Sequence, residues 1–84
     1  NGIIYLSSGS KVYRYNPINE DVRELSTDFG GKEVTMIRLA ENEETIMVGV
    51  PGSIYYLDIS TGKLGTLIKK IEGIPGAPID VAVR

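Results

Sequence analysis

Ser53-Ile54-Tyr55-Tyr56-Leu57-Asp58 has a counterpart 42 positions earlier, Lys11-Val12-Tyr13-Arg14-Tyr15-Asn16. In the earlier copy Tyr13 and Tyr15 alternate with Val12 and Arg14, the period-2 pattern of a half-buried strand. Working outward at the same offset, Ile4 falls on Ile46, Leu25 on Leu67, Gly31 on Gly73, Ile37 on Ile79 and Ala40 on Ala82. Conservative matches keep the register: Leu6/Val48, Asn16/Asp58, Val22/Leu64, Phe29/Ile71 and Leu39/Val81. A fixed period of this length is the mark of units that cannot bury their own apolar face and therefore stack on copies. The 84 residues divide into two such units, residues 1–42 and 43–84.

Turn chemistry divides each unit into short strands. Ile3-Ile4-Tyr5-Leu6-Ser7 is β-branched and aromatic and stops at Ser8-Gly9-Ser10. Lys11 to Asn16 stops at Pro17, a short segment spans residues 21–27, and residues 34–40 form a further strand before Glu41-Asn42-Glu43-Glu44. In the second unit the predicted strands are residues 45–50, 53–58, 64–71 and 79–83. Leu64, Leu67, Ile68 and Ile71 also fit a helical spacing. Gly65 weighs against a helix there, so strand is the expectation and helix the alternative. For residues 76–82, Pro75 and Pro78 exclude a helix.

Four short strands per 42-residue unit describe a β-propeller blade. The stretch from Ser53 through Asp58-Ile59-Ser60-Thr61-Gly62-Lys63 resembles the strand-turn element "gxIYaLDxxTGK" of PQQ-type propeller repeats. Lys11-Val12-Tyr13-Arg14-Tyr15-Asn16-Pro17 resembles the kelch-type variant. The tryptophan that PQQ-type repeats place after this turn is missing, so no cofactor is expected. The whole chain looks more loosely like the propeller part of bacterial surface lipoproteins that carry PKD-like domains. That resemblance implies an extracytoplasmic setting, at a bacterial cell surface.

The expected fold is all-β: two four-stranded antiparallel propeller blades, circularly shifted, forming part of a larger or oligomeric propeller. Residues 34–40 and 79–83 would be the innermost strands. The chain then supplies three strands, a full blade, and one more strand. Two blades leave both outer faces open, so the expected partners are the remaining blades or further copies of the chain. Three copies would make six blades and four would make eight. A heterologous cyclic contact would join them. The chain opens on Asn1 rather than Met, which predicts a processed or partial chain.

Composition narrows the function classes. The net charge of −2, with signs interspersed, argues against a nucleic-acid partner. No apolar run approaches the length of a membrane span. With no Cys and no His, neither disulfides nor Cys/His metal sites can form. A general base would have to be Asp, Glu, Lys or Tyr, and no pair of these recurs in a site-like pattern. No enzyme is expected from this chain alone, and no metal site.

The candidate ligand-binding residues are Arg38, Asp80, Arg14 and Tyr56. Arg38 and Asp80 hold equivalent places in the innermost strands. There they form either an ion pair that registers adjacent blades or channel-lining groups that hold a ligand. Tyr13 and Tyr55 are expected in blade-to-blade packing, with Arg14 and Tyr56 on the opposite, more exposed face. Three functions remain: a non-catalytic binding or scaffolding module with a protein or glycan ligand, a self-assembling two-blade lectin that stacks Tyr on sugars, and part of a propeller enzyme whose catalytic groups lie elsewhere.

Overall fold

A computed structural model describes residues 2–60 and 64–79. Among them there are seven strands and no helix: β1 (Ile4–Ser8), β2 (Lys11–Asn16), β3 (Asp21–Glu24), β4 (Met36–Leu39), β5 (Thr45–Val50), β6 (Ser53–Asp58) and β7 (Thr66–Glu72). The first three form one sheet in the order β1-β2-β3, and the rest a second in the order β4-β5-β6-β7. Every pairing is antiparallel between chain neighbours. The chain is all-β, and the helical alternative for residues 64–71 is not taken up.

The hairpins β1-β2 and β5-β6 share one pairing register after a shift of 42 positions. Ile4 faces Tyr15 as Ile46 faces Leu57, and Tyr5 faces Arg14 as Met47 faces Tyr56. Their turns reach the same reversal by different chemistry. Gly9 takes φ +60° at the first turn position, whereas Pro51 fixes its own φ and Gly52 takes φ +85° at the second. After each hairpin the side chain at the same relative position holds the exit turn. Asn16 Oδ1 accepts the Ile18 N–H at 3.0 Å, and Asp58 Oδ1 accepts the Ser60 N–H at 2.8 Å.

The third strands depart from the 42-residue offset. Tyr15 faces Val22, but Leu57 faces Leu67 rather than Leu64. The connection before β7 is longer, and an irregularity opposite Tyr56/Leu57 shifts the remaining pairs further. The expected matches Leu25/Leu67 and Phe29/Ile71 therefore do not share an environment: Leu25 and Phe29 are buried, Leu67 and Ile71 exposed. Gly65 enables the departure. It takes φ +82°, and a Cβ there would lie 2.7 Å from the Leu25 side chain. The chain leaving β3 seats against this glycine, with the Ser26 N–H donating to the Leu64 carbonyl at 3.0 Å.

The sheets pack face to face. Tyr5 and Val12 of the first meet Ile46, Val48, Val50, Tyr55 and Leu57 of the second, with Leu25, Phe29 and Val34 of the connecting segment between them. The Phe29 ring stands edge-on to Tyr55 with centroids 5.0 Å apart. A smaller cluster of Met36, Met47 and Ile54 lies on the far face of the second sheet, against Ala40, Tyr56 and Ile74. Residues 74–78 cross this face. Gly76 accepts the Gly52 N–H at 2.9 Å, and Pro78 comes so close to Gly49 that a Cβ there would be 2.8 Å from its ring. Among the described residues no such segment covers the outer face of the first sheet. Ile4, Leu6 and Val22 are exposed, with Tyr13 and Tyr15 half-buried beside them.

Candidate functional site

Pairing register places the four expected site residues. Arg14 lies mid-β2, flanked across the sheet by Tyr5 on β1 and Arg23 on β3. Its row belongs to the face turned toward the second sheet. Two cationic side chains opposite one another are unfavourable unless a carboxylate compensates. Asp21 Oδ2 meets Arg23 Nε at 2.7 Å, and among the described residues no carboxylate is ion-paired with Arg14. Arg14 is half-buried rather than exposed, because it borders a cleft of about 140 Å³ lined also by Ile3, Tyr5, Leu39, Glu43 and Ile59.

Tyr56 sits at the equivalent place in the second sheet, on the far face. It is half-buried, opposite Met47, with Lys69 Nζ 4.8 Å from its ring centroid. Arg38 is exposed on β4, opposite Met47 and so in the same row as Tyr56. Asp80 lies outside the described residues, as do all but the first residue of the strand expected over 79–83. The described residues therefore bring Arg38 and Tyr56 onto one face, with Arg14 on a different sheet.

Sequence reading left unnoticed a second cleft, of about 280 Å³, lined by Ser10, Lys11, Glu24, Leu25, Ser26, Thr27 and Asp28. Lys11 Nζ and Glu24 Oε2 bridge its edge at 3.2 Å with both side chains about half exposed. An ion pair so exposed contributes little to stability. No motif marks this cleft, which arises because the segment after β3 leaves its sheet to reach Gly65.

No known protein family, curated protein or solved structure matches the chain. The chemistry of the site therefore rests on its own residues.

Two titratable groups have displaced pKa values. The Ser60 hydroxyl donates to Asp58 Oδ1 at 2.7 Å, and the Ser60 N–H adds a second bond. Together they hold the Asp58 carboxyl below the usual carboxylate range against a small desolvation effect. Lys70 is held above the usual ammonium range, first by Glu72, 3.1 Å away, and then by the Tyr55 hydroxyl. Asp58 is half-buried in a turn and Lys70 exposed at a sheet edge, and neither lines the Arg14 cleft, although Ile59, next to Asp58, does. Among the described residues no helix is long and apolar enough to cross a membrane, and no group of His, Cys, Asp and Glu is placed to hold a metal ion.

Proposed function

We propose that the chain is a two-blade segment of a β-propeller, serving as a non-catalytic binding or scaffolding module of an extracytoplasmic bacterial protein. One observation carries the propeller reading: two hairpins of identical register, 42 residues apart, pack the back of one sheet on the front of the next. A long connection leaves the third strand of one sheet, crosses the interface through Leu25, Phe29 and Val34, and enters the next sheet at β4. That is how one blade follows another. The scaffolding role is supported by a composition without His or Cys and by the spread of carboxylates into turns such as residues 41–44, where Glu43 takes φ +56°. The extracytoplasmic setting rests on the resemblance to surface-lipoprotein propellers.

Covalent extension tests the blade reading. A further copy of residues 43–84 appended after Arg84 would pack on the far side of the second sheet, where Ile74 lies on Met36, Met47 and Ile54 and Ile71 is exposed. The expected result is a higher melting temperature in one cooperative transition, as for nearest-neighbour repeat arrays. An appended unit that melts separately, or leaves the melting temperature unchanged, contradicts it. Calorimetry against a broad glycan panel tests the role. The expected result is no saturable heat, whereas saturable binding to a sugar replaces the scaffolding role with that of a lectin.

A further inference from the structure

We infer that the cleft beside Arg14 binds a small zwitterion, an α-amino acid with a short aliphatic side chain, with Arg14 taking its carboxylate and Glu43 its ammonium group. This ligand rests on the binding role proposed above. The cleft itself needs no further blade, because one chain builds it.

A hairpin and two connections assemble the walls. Tyr5 and Arg14 face each other across β1 and β2, on the side of the first sheet turned toward the second. Leu39 ends β4, opposite Ile46 and so on the face of the second sheet that meets the first. Glu43 sits in the turn from β4 to β5 with φ +56°, a left-handed backbone uncommon outside glycine. Hydrogen bonds hold that turn. The Glu43 N–H donates to the Ala40 carbonyl at 2.9 Å, and Asn42 Oδ1 accepts the Glu44 N–H at 2.9 Å. The Ile59 N–H donates to the Glu44 carbonyl at 2.9 Å, which ties the chain leaving β6 to the same turn. Glu43 and Ile59 thus reach the cleft together, from the second sheet's connections.

Arg14 lacks what its charge requires. It is half-buried, and among the described residues no hydrogen bond or ion pair holds its guanidinium. Its neighbour across the sheet is Arg23, whose charge Asp21 already meets at 2.7 Å. A guanidinium drawn partly out of water beside a second cation is unfavourable until an anion meets it. The repeat does not demand a cation here, since the equivalent place 42 residues on holds Tyr56. The guanidinium fork matches a carboxylate with two parallel N–H bonds.

Glu43 sets the rest of the ligand. It lines the same cleft without pairing to Arg14. A ligand with a carboxylate alone would place two anions in one small space, and a phosphate dianion would do so more severely. An amine alone would leave Arg14 unmatched. A zwitterion satisfies both charges. Ile3, Leu39 and Ile59 add apolar walls that suit an aliphatic side chain. The volume of about 140 Å³ is well below the roughly 300–1,000 Å³ of sites for drug-sized molecules. The ligand is correspondingly small.

Calorimetry of the full chain with L-valine, isovalerate and isobutylamine tests this, because the last two are valine without its amine and without its carboxylate. L-Valine is expected to bind saturably, and each analogue about tenfold more weakly or worse, for the loss of one charge-assisted contact. Arg14→Gln is expected to remove the preference for valine over isobutylamine, and Glu43→Gln the preference over isovalerate. Chemical-shift changes at Tyr5 and Ile59 on adding valine to the unsubstituted chain locate the site without any variant. The inference is overturned by no saturable heat with valine at millimolar concentration, by isovalerate binding as tightly as valine, or by shift changes confined to other residues. The melting test of the extended chain does not involve this cleft, so the blade reading stands or falls separately.

Discussion

β1 and β5 occupy the same place in the register of their sheets, yet they live in opposite environments. Five consecutive residues of β5, Ile46 to Val50, are buried, while in β1 only Tyr5 is half-buried and the rest are exposed. Their sequences do not explain this, since Ile4-Tyr5-Leu6 is as apolar as Ile46-Met47-Val48. What differs is neighbours. β5 has a strand on each side, the first sheet against one face, and residues 74–78 against the other. Among the described residues β1 has one neighbouring strand and one packed face. In a stacked array, burial belongs to the position in the stack and not to the residue.

The largest effect that can break this comparison comes from truncating the two isoleucines at its centre. Ile46→Ala removes a side chain with no exposed surface, and a loss of about 3 kcal/mol is expected from chemical denaturation. Ile4→Ala, at a residue 47% exposed, is expected to cost under about 1 kcal/mol in dilute solution. Equal costs would remove the contrast.

A middle-sized effect is expected at Gly65, where the third strands diverge. Gly65→Ala forces a side chain into a left-handed backbone and against Leu25, for about 2 kcal/mol of destabilisation. At Gly73, also at positive φ but with open space around it, the same substitution should cost about 1 kcal/mol, from backbone strain alone. Thermal melts of the two variants separate packing from backbone strain.

The smallest effect distinguishes the two equivalent turns by pH. Asp58 has a lowered pKa in the fold, so its contribution is fully present above the unfolded value near about 3.9 and is lost as pH falls through the folded value. Asn16 makes the corresponding bond to Ile18 without a titrating group. Asp58→Asn should therefore reduce the acid sensitivity of the fold slightly, and an acid titration followed by circular dichroism checks it. An unchanged acid midpoint would mean that the Ser60 bonds do not contribute.

The strands were legible where alternation and turn residues agreed. Lys11-Val12-Tyr13-Arg14-Tyr15-Asn16 and its counterpart begin and end where their polar and proline neighbours dictate. The third strand of each unit was less legible. A repeat read without gaps places Leu67 with Leu25, but the longer connection before β7 and its irregularity move Leu67 to the surface. Such a slip leaves hydrophobicity unchanged, so sequence pattern alone does not reveal it. Val34 opens the strand expected over residues 34–40 but lies before β4, and with Phe29 it is core because the segment that holds them runs between sheets. Of the site, the position of Arg14 beside a tyrosine was implicit in the hairpin register. Its cleft was not, since Leu39, Glu43 and Ile59 come to it only through sheet-on-sheet packing.

Each chain carries one satisfied sheet interface and, among the described residues, an uncovered outer face on its first sheet that further blades or copies would bury. Solution mass by light scattering, measured across a range of concentrations, tests it most directly. The predicted result is a species of three or four times the chain mass of 9.1 kDa, reached as concentration increases. A mass that stays at that of a single chain throughout would contradict it.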